Sequence, residues 1–117
     1  MSRDHRKLEV FHLVDRLVLE IYAVTKALPD RERYGLQSQL RRAAVSTATN
    51  LVEGCARRTP GEYCQFLSVA HASAREVSYE MTLCARLGYL SDSSTAPIAE
   101  DYDHAAAMLL RLIDGVR

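Results

Sequence analysis

The sequence predicts an all-α protein, an antiparallel up-down-up-down four-helix bundle that assembles as a homo-oligomer. Apolar residues recur at alternating steps of three and four over four long segments, as on one face of an α-helix. No segment alternates with period two over a useful length, so strands are not expected. Short connections make successive helices antiparallel neighbours. A chain of 117 residues, 48% of them hydrophobic, is long enough for one domain, 1–117, and too short for two.

The first two helices are predicted over residues 8–28 and 36–57. The core face of the first is Val10, Val14, Leu17, Ile21, Val24 and Leu28. Pro29 ends it, because the residue before a proline disfavours helical geometry, and the polar stretch "DRERYG" connects it to the second.

The last two helices are predicted over residues 60–87 and 95–116. The stretch "TPGEY" provides a capping box, with Thr59 as N-cap, Pro60 at the first helical position and Glu62 three residues after the cap. The core face of the third helix is Tyr63, Phe66, Ala70, Ala74, Val77, Met81 and Cys84. Ser91 can cap the fourth helix, but "SDSSTAP" is a poor helix former, so a start as late as Thr95, with Pro97 in the first turn, is the alternative.

Apolar residues also lie off the main faces of two helices. The first helix has Phe11, Val18 and Tyr22, and the third has Leu67, Val69 and Ala72. Apolar surface on two sides of a helix indicates deep burial or a partner. In a domain this small we expect a partner.

A polar stripe follows one side of the second helix at steps of 4, 4, 3 and 4 residues. Its members are Arg42, Ser46, Asn50, Glu53 and Arg57. Such a stripe requires water, polar groups on a packed helix or a neighbouring subunit. We interpret it as an intersubunit polar network that fixes register. The alternative is that it faces a central channel and contacts a ligand there.

The overall composition excludes several classes of protein. The three cysteines are far apart with no C-x-x-C pair, which argues against a disulfide framework or a zinc site. Without a signal peptide or a long apolar run, we expect a cytoplasmic protein that does not span a membrane. The net charge is zero, but residues 1–60 hold 11 Lys/Arg against 7 Asp/Glu, whereas residues 61–117 hold 4 against 8.

Two E-x-x-H-like pairs raise the possibility of a di-iron bundle: Glu9 with His12, and Asp101 with His104. Helical geometry turns His12 away from the core, and the two pairs fall at different levels along an up-down bundle. No phosphate-binding loop or nucleophile elbow is present. We therefore expect no metal, no cofactor and no enzymatic activity.

Two arginine pairs bracket the second helix: Arg41 with Arg42, and Arg57 with Arg58. As a functional feature, they form a surface that contacts phosphate groups of a nucleic acid, together with Arg3, Arg6 and Lys7. As a structural feature, Arg57 and Arg58 complement the carboxyl end of the helix dipole, and Arg42 pairs with acids on a neighbouring helix or subunit.

Residues 8–91 resemble the four-helix-bundle proteins encoded in intervening sequences of bacterial 23S rRNA genes. The most specific parts are "YGLQSQLRRAAVS", "NLVEG" and "LGYL". The resemblance implies a homopentamer around a central axis, without established enzymatic activity. A related branch is the accessory protein of diversity-generating retroelements, which binds nucleic acid and a reverse transcriptase. The expected function is therefore a nucleic-acid-binding accessory protein, with a protein partner in addition; the alternative is a scaffold or protein-interaction module without a nucleic-acid role.

Overall fold

Four α-helices make up most of the chain in a computed structural model that describes residues 3–116. They are α1 (Glu9–Val24), α2 (Leu36–Ala56), α3 (Pro60–Arg86) and α4 (Asp92–Val116). Each helix packs against two others, with α1 and α3 on opposite corners of a square. The predicted all-α class is confirmed, and residues 3–116 contain no strand. None of the helices in this range has the run of apolar residues needed to cross a bilayer.

The core consists of two apolar clusters stacked along the bundle. The cluster nearer the α1–α2 connection includes Leu17, Ile21, Leu40, Met81 and Tyr102. The other includes Val14, Leu51, Tyr63, Leu67 and Leu109. Burying one aliphatic side chain of this size contributes about 1.5–3 kcal/mol, so these contacts dominate the stability of the fold.

The first helix is shorter than the predicted range 8–28. It is α-helical only to Val24, and a 3₁₀ turn follows over Thr25–Ala27. The hydroxyl of Thr25 donates a 2.6 Å hydrogen bond to the carbonyl oxygen of Ile21, which satisfies one of the last free carbonyls of the helix. Leu28 is extended, at φ −67 and ψ 147, because Pro29 follows it.

The fourth helix begins at Asp92, three residues before the predicted start at 95. Ser91 caps it, since its hydroxyl oxygen accepts a 3.2 Å hydrogen bond from the backbone nitrogen of Ser94. The hydroxyl of Thr95 donates to the carbonyl oxygen of Ser91 at 3.1 Å, and the Thr95 side chain is buried. These contacts offset the low helix propensity of this stretch.

The prediction that Phe66 belongs to the core face of α3 is wrong. Leu67 is fully buried there, whereas Phe66 is half-buried and turns toward α2. The two positions flank the buried Tyr63 on either side of the helix. Position 54 of α2 is glycine, and a Cβ there would lie 3.1 Å from the Cβ of Phe66. The glycine therefore lets α2 approach α3 closely at the Cβ of Phe66.

Candidate polar seam and nucleic-acid interface

The predicted polar stripe lies on the edge of α2 that faces α3. Arg42 Nη2 is 3.3 Å from Glu76 Oε2, and the hydroxyls of Ser46 and Ser73 share a 2.9 Å hydrogen bond. The side-chain amide of Asn50 donates to the carbonyl oxygen and the hydroxyl of Ser46, at 2.9 and 3.0 Å. We refer to these five residues as the polar seam. Its polar groups find partners within one chain.

The remaining members of the stripe, Glu53 and Arg57, are exposed. The guanidinium carbon of Arg57 lies 4.5 Å from the centre of the Phe66 ring. Asn50, Gln65, Phe66 and Val69 line a shallow pocket of about 260 Å³ between the two helices. The stripe is therefore half-buried in its middle, at Ser46 and Asn50, and exposed at both of its ends along α2. Its completion by a second subunit stays a prediction.

A buried carboxyl extends the polar seam and was not among the predicted site residues. Glu80 is 6% exposed, and its Oε1 has no hydrogen-bond partner among residues 3–116. Burial, together with the charge of Glu76 and a hydrogen bond with it, raises the pKa of Glu80 to about 7, and the charge of Arg42 opposes these effects. The sequence signal is the spacing of Glu76 and Glu80, which places two acids one helical turn apart.

The four candidate arginines do not form one patch within a chain. Arg41 and Arg42 lie near the start of α2, and Arg57 and Arg58 directly follow its end. Corresponding members of the two pairs are sixteen positions apart, which is about 24 Å along a helix. Arg41 turns toward the end of α1, where its guanidinium carbon lies 4.7 Å from the ring centre of Tyr22.

The N-terminal segment lies across the junction of α2 and α3. The backbone nitrogen of Arg3 donates a 2.6 Å hydrogen bond to the carbonyl oxygen of Cys55. The guanidinium carbon of Arg3 lies 3.8 Å from the centre of the Tyr63 ring. We refer to the exposed cations at this end of the bundle as the basic end, which comprises Arg3, Arg6, Lys7, Arg57 and Arg58.

Acidic groups moderate the charge of the basic end. Arg6 Nε is 3.0 Å from Asp4 Oδ1, and this hydrogen-bonded pair lowers the pKa of the Asp4 carboxyl. Glu62 belongs to the predicted capping box: its backbone nitrogen donates to the Thr59 hydroxyl at 3.2 Å. Glu9 is exposed nearby, at the start of α1.

The members of the two E-x-x-H-like pairs contact backbone groups, other side chains or solvent. His12 Nε2 is 2.8 Å from the carbonyl oxygen of Arg6, and Asp101 Oδ2 is 3.3 Å from Arg16 Nη2. His104 is exposed on α4. Over residues 3–116, no three His, Cys, Asp or Glu side chains are grouped closely enough to hold a metal ion.

Comparisons with known proteins agree with the sequence motifs. A crystal structure from Bacteroides thetaiotaomicron VPI-5482, described as a protein of unknown function from the S23 ribosomal protein family, has a similar fold. It shares 20% identity with a TM-score of 0.83, over 89% of this chain and 97% of that one. Curated protein sequences give no significant match. The family model described as 23S rRNA-intervening sequence protein matches residues 6–111, and the chain belongs to that family.

Proposed function

We propose that this protein is a non-enzymatic subunit of a homo-oligomer, a pentamer by family resemblance, which binds nucleic acid through its basic end. The observation that carries the proposal is the stacking of Arg3 on Tyr63 and of Arg57 on Phe66. Stacking fixes the plane of a guanidinium and leaves N–H groups at its edge for phosphate oxygens. A closed ring repeats this end once per subunit, so its local positive charge exceeds that of one neutral chain.

Exposed apolar side chains support self-association. Leu19 is 70% exposed, and Tyr79 is 59% exposed on the outer side of α3. A groove of about 420 Å³ between α1 and α2 has Phe11, Ala48 and Val52 in its lining, which is mostly apolar. Oligomerisation would remove part of this surface from water. Light scattering at micromolar concentration tests this part, and a monomer would refute it.

Nucleic-acid binding is expected to be weak and without base preference, because the cations of the basic end are suited to contacts with phosphates, which carry no sequence information. The decisive experiment measures binding of RNA and DNA over a salt series. Each lost phosphate contact reduces the slope of log K against log salt by about 0.7–0.9. Changing both Arg57 and Arg58 to Ala should reduce the slope accordingly and weaken binding at every salt concentration.

A matched control is the double variant Arg75→Ala, Arg86→Ala. Both arginines are exposed on α3, and Arg86 also lies over an aromatic ring, that of Tyr79 at 5.7 Å. The control should bind as the wild type does. An unchanged slope in the Arg57 and Arg58 variant would clear that pair, and no binding at low salt would refute the nucleic-acid role.

The second candidate function is a scaffold or protein-interaction module without a nucleic-acid role. It is favoured by the arginines that already pair with carboxylates, as Arg42 does with Glu76 and Arg75 with Asp103. A guanidinium in an ion pair contributes less to an attractive field for phosphates. This function predicts an oligomer that forms normally and binds no RNA or DNA even at low salt.

A further inference from the structure

A cleft of about 450 Å³ lies at the connection between α1 and α2, at the opposite end of α2 from Arg57 and Arg58. Its lining combines three cations, one carboxylate, one amide and two apolar residues. These are Lys26, Arg33, Arg41, Asp30, Gln37, Leu28 and Pro29. The excess of two positive charges is concentrated in one concave site, although the chain as a whole is neutral.

Two polar side chains of the cleft are held in place by the end of α1. Arg41 donates from Nε to the Thr25 hydroxyl at 3.0 Å and from Nη2 to the carbonyl oxygen of Tyr22 at 3.2 Å. Gln37 donates from its amide to the carbonyl oxygen of Thr25 at 3.0 Å. Neither Arg41 bond uses Nη1. Side chains fixed in this way lose little conformational entropy when a ligand binds.

The other two cations of the cleft, Lys26 and Arg33, form no ion pair among residues 3–116, and Asp30 forms none either. Nearby unpaired cations that share a concave surface repel one another and attract an anion. Both are exposed, so a ligand in the cleft can contact them directly.

We infer that this cleft binds a phosphate monoester. The two negative charges of a monoester match the excess of two positive charges in the lining, whereas a carboxylate supplies only one. Arginine and lysine are the side chains that proteins use for phosphate recognition. The volume exceeds that of one phosphate and falls in the range of small-ligand pockets, so the group attached to the phosphate also has space.

The site goes beyond the nucleic-acid function proposed above, because it lies at the other end of the bundle and is complete within one chain. Two sources provide the same chemistry: a small free phosphate compound, or the 5′-terminal phosphate of a nucleic acid. An internal phosphodiester carries a single charge and matches the cleft less well.

The experiment uses the full chain and three probes in calorimetric titrations at low salt: inorganic phosphate, a 5′-phosphorylated RNA pentamer and the same pentamer with a 5′-hydroxyl. Wild-type protein should bind the phosphorylated pentamer about tenfold more tightly than the hydroxyl form. If inorganic phosphate binds saturably below about 1 mM and the pentamers bind equally, the source is a small phosphate compound. Absence of both effects overturns the inference.

The variant Lys26→Gln, Arg33→Gln removes the two cations that have no described ion pair and leaves the bonds of Arg41 to α1 intact. It should lose whichever of these two effects the wild type shows, while unfolding at the same temperature as the wild type. The variant Arg57→Gln, Arg58→Gln should keep them, which separates this site from the basic end. Retention of phosphate binding by the Lys26 and Arg33 variant would overturn the assignment, whatever the outcome at the basic end.

Discussion

Replacing Glu80 by Gln should stabilise the protein at neutral and alkaline pH. In the folded chain the buried Glu80 carboxyl keeps its proton up to about pH 7, whereas a glutamic acid ordinarily releases it near 4.5. Between these values the native state binds more protons than the unfolded state, so the free energy of unfolding falls as the pH rises. The contribution of Glu80 is fully present below pH 4.5 and is lost as the pH rises through 7.

The size of the stability change follows from the ordinary pKa of a glutamic acid, 4.5, and the raised pKa of Glu80, about 7. Each pH unit between them lowers the free energy of unfolding by about 1.4 kcal/mol. The whole interval therefore corresponds to on the order of 3 kcal/mol. Glutamine has nearly the shape of the protonated acid, can donate a hydrogen bond to Glu76 and never ionises. Glu80→Gln should exceed the wild type by less than about 1 kcal/mol near pH 5 and by about 3 kcal/mol near pH 8.

Urea unfolding followed by helical circular dichroism, at one protein concentration from pH 5 to 8.5, measures this difference. Contributions of other titrating groups largely cancel between variant and wild type. Glu100→Gln is the control, because Glu100 is exposed on α4, and its profile should follow that of the wild type. The reasoning fails if Glu80→Gln keeps the wild-type pH profile or is destabilised equally at every pH.

Three further predictions concern the fold and are read by thermal or urea unfolding. Leu67→Ala should lower the free energy of unfolding by about 2–5 kcal/mol because it opens a cavity in the core. Phe66→Ala should lower it clearly less, and a larger loss for Phe66→Ala would contradict the assignment of the core face. Thr59→Ala removes the cap of α3 and should cost about 1 kcal/mol; no change would show that the cap is dispensable. Gly88→Ala should cost roughly 1 kcal/mol of stability, because the backbone at Gly88 has a φ of +78. Gly61→Ala should cost nothing, because a Cβ there meets nothing within 4 Å. Equal effects of the two substitutions would refute the conformational explanation.

The parts of the fold that depend on local chemistry could be predicted from the sequence. The start of α3 is an example, since the cap at Thr59 involves residues within one turn. The start of α4 was missed because Thr95 is stabilised by burial against other helices, which propensity does not include. Periodicity also left Phe66 and Leu67 both close to the core face. The choice between them depends on how closely α2 approaches at Gly54.

In the candidate sites, too, local spacing could be predicted from the sequence, whereas contacts between different elements could not. The spacing of Ser46 and Asn50 revealed a stripe, but its partners on α3 depend on the alignment of two helices. The contact of Arg3 with Tyr63 depends on where the N-terminal segment crosses the bundle. The cleft at the α1–α2 connection combines Lys26 with residues seven and fifteen positions later in the chain, which only the conformation of the connection brings together.

The polar seam offers a physical reason for the polar residues between α2 and α3: they fix the alignment of one helix along the other. One turn before and one turn after Ser73, α3 carries Val69 and Val77. Sliding α3 by four residues along α2 would place a valine opposite the half-buried Ser46, which would keep only its hydrogen bond from Asn50, and the buried Ser73 hydroxyl would lose Ser46. A buried polar group left without a partner costs about 1–3 kcal/mol, whereas a satisfied hydrogen bond contributes only about 0.5–1.5 kcal/mol net. The seam therefore acts mainly against wrong alignments of α2 and α3, and adds less to the stability of the correct one.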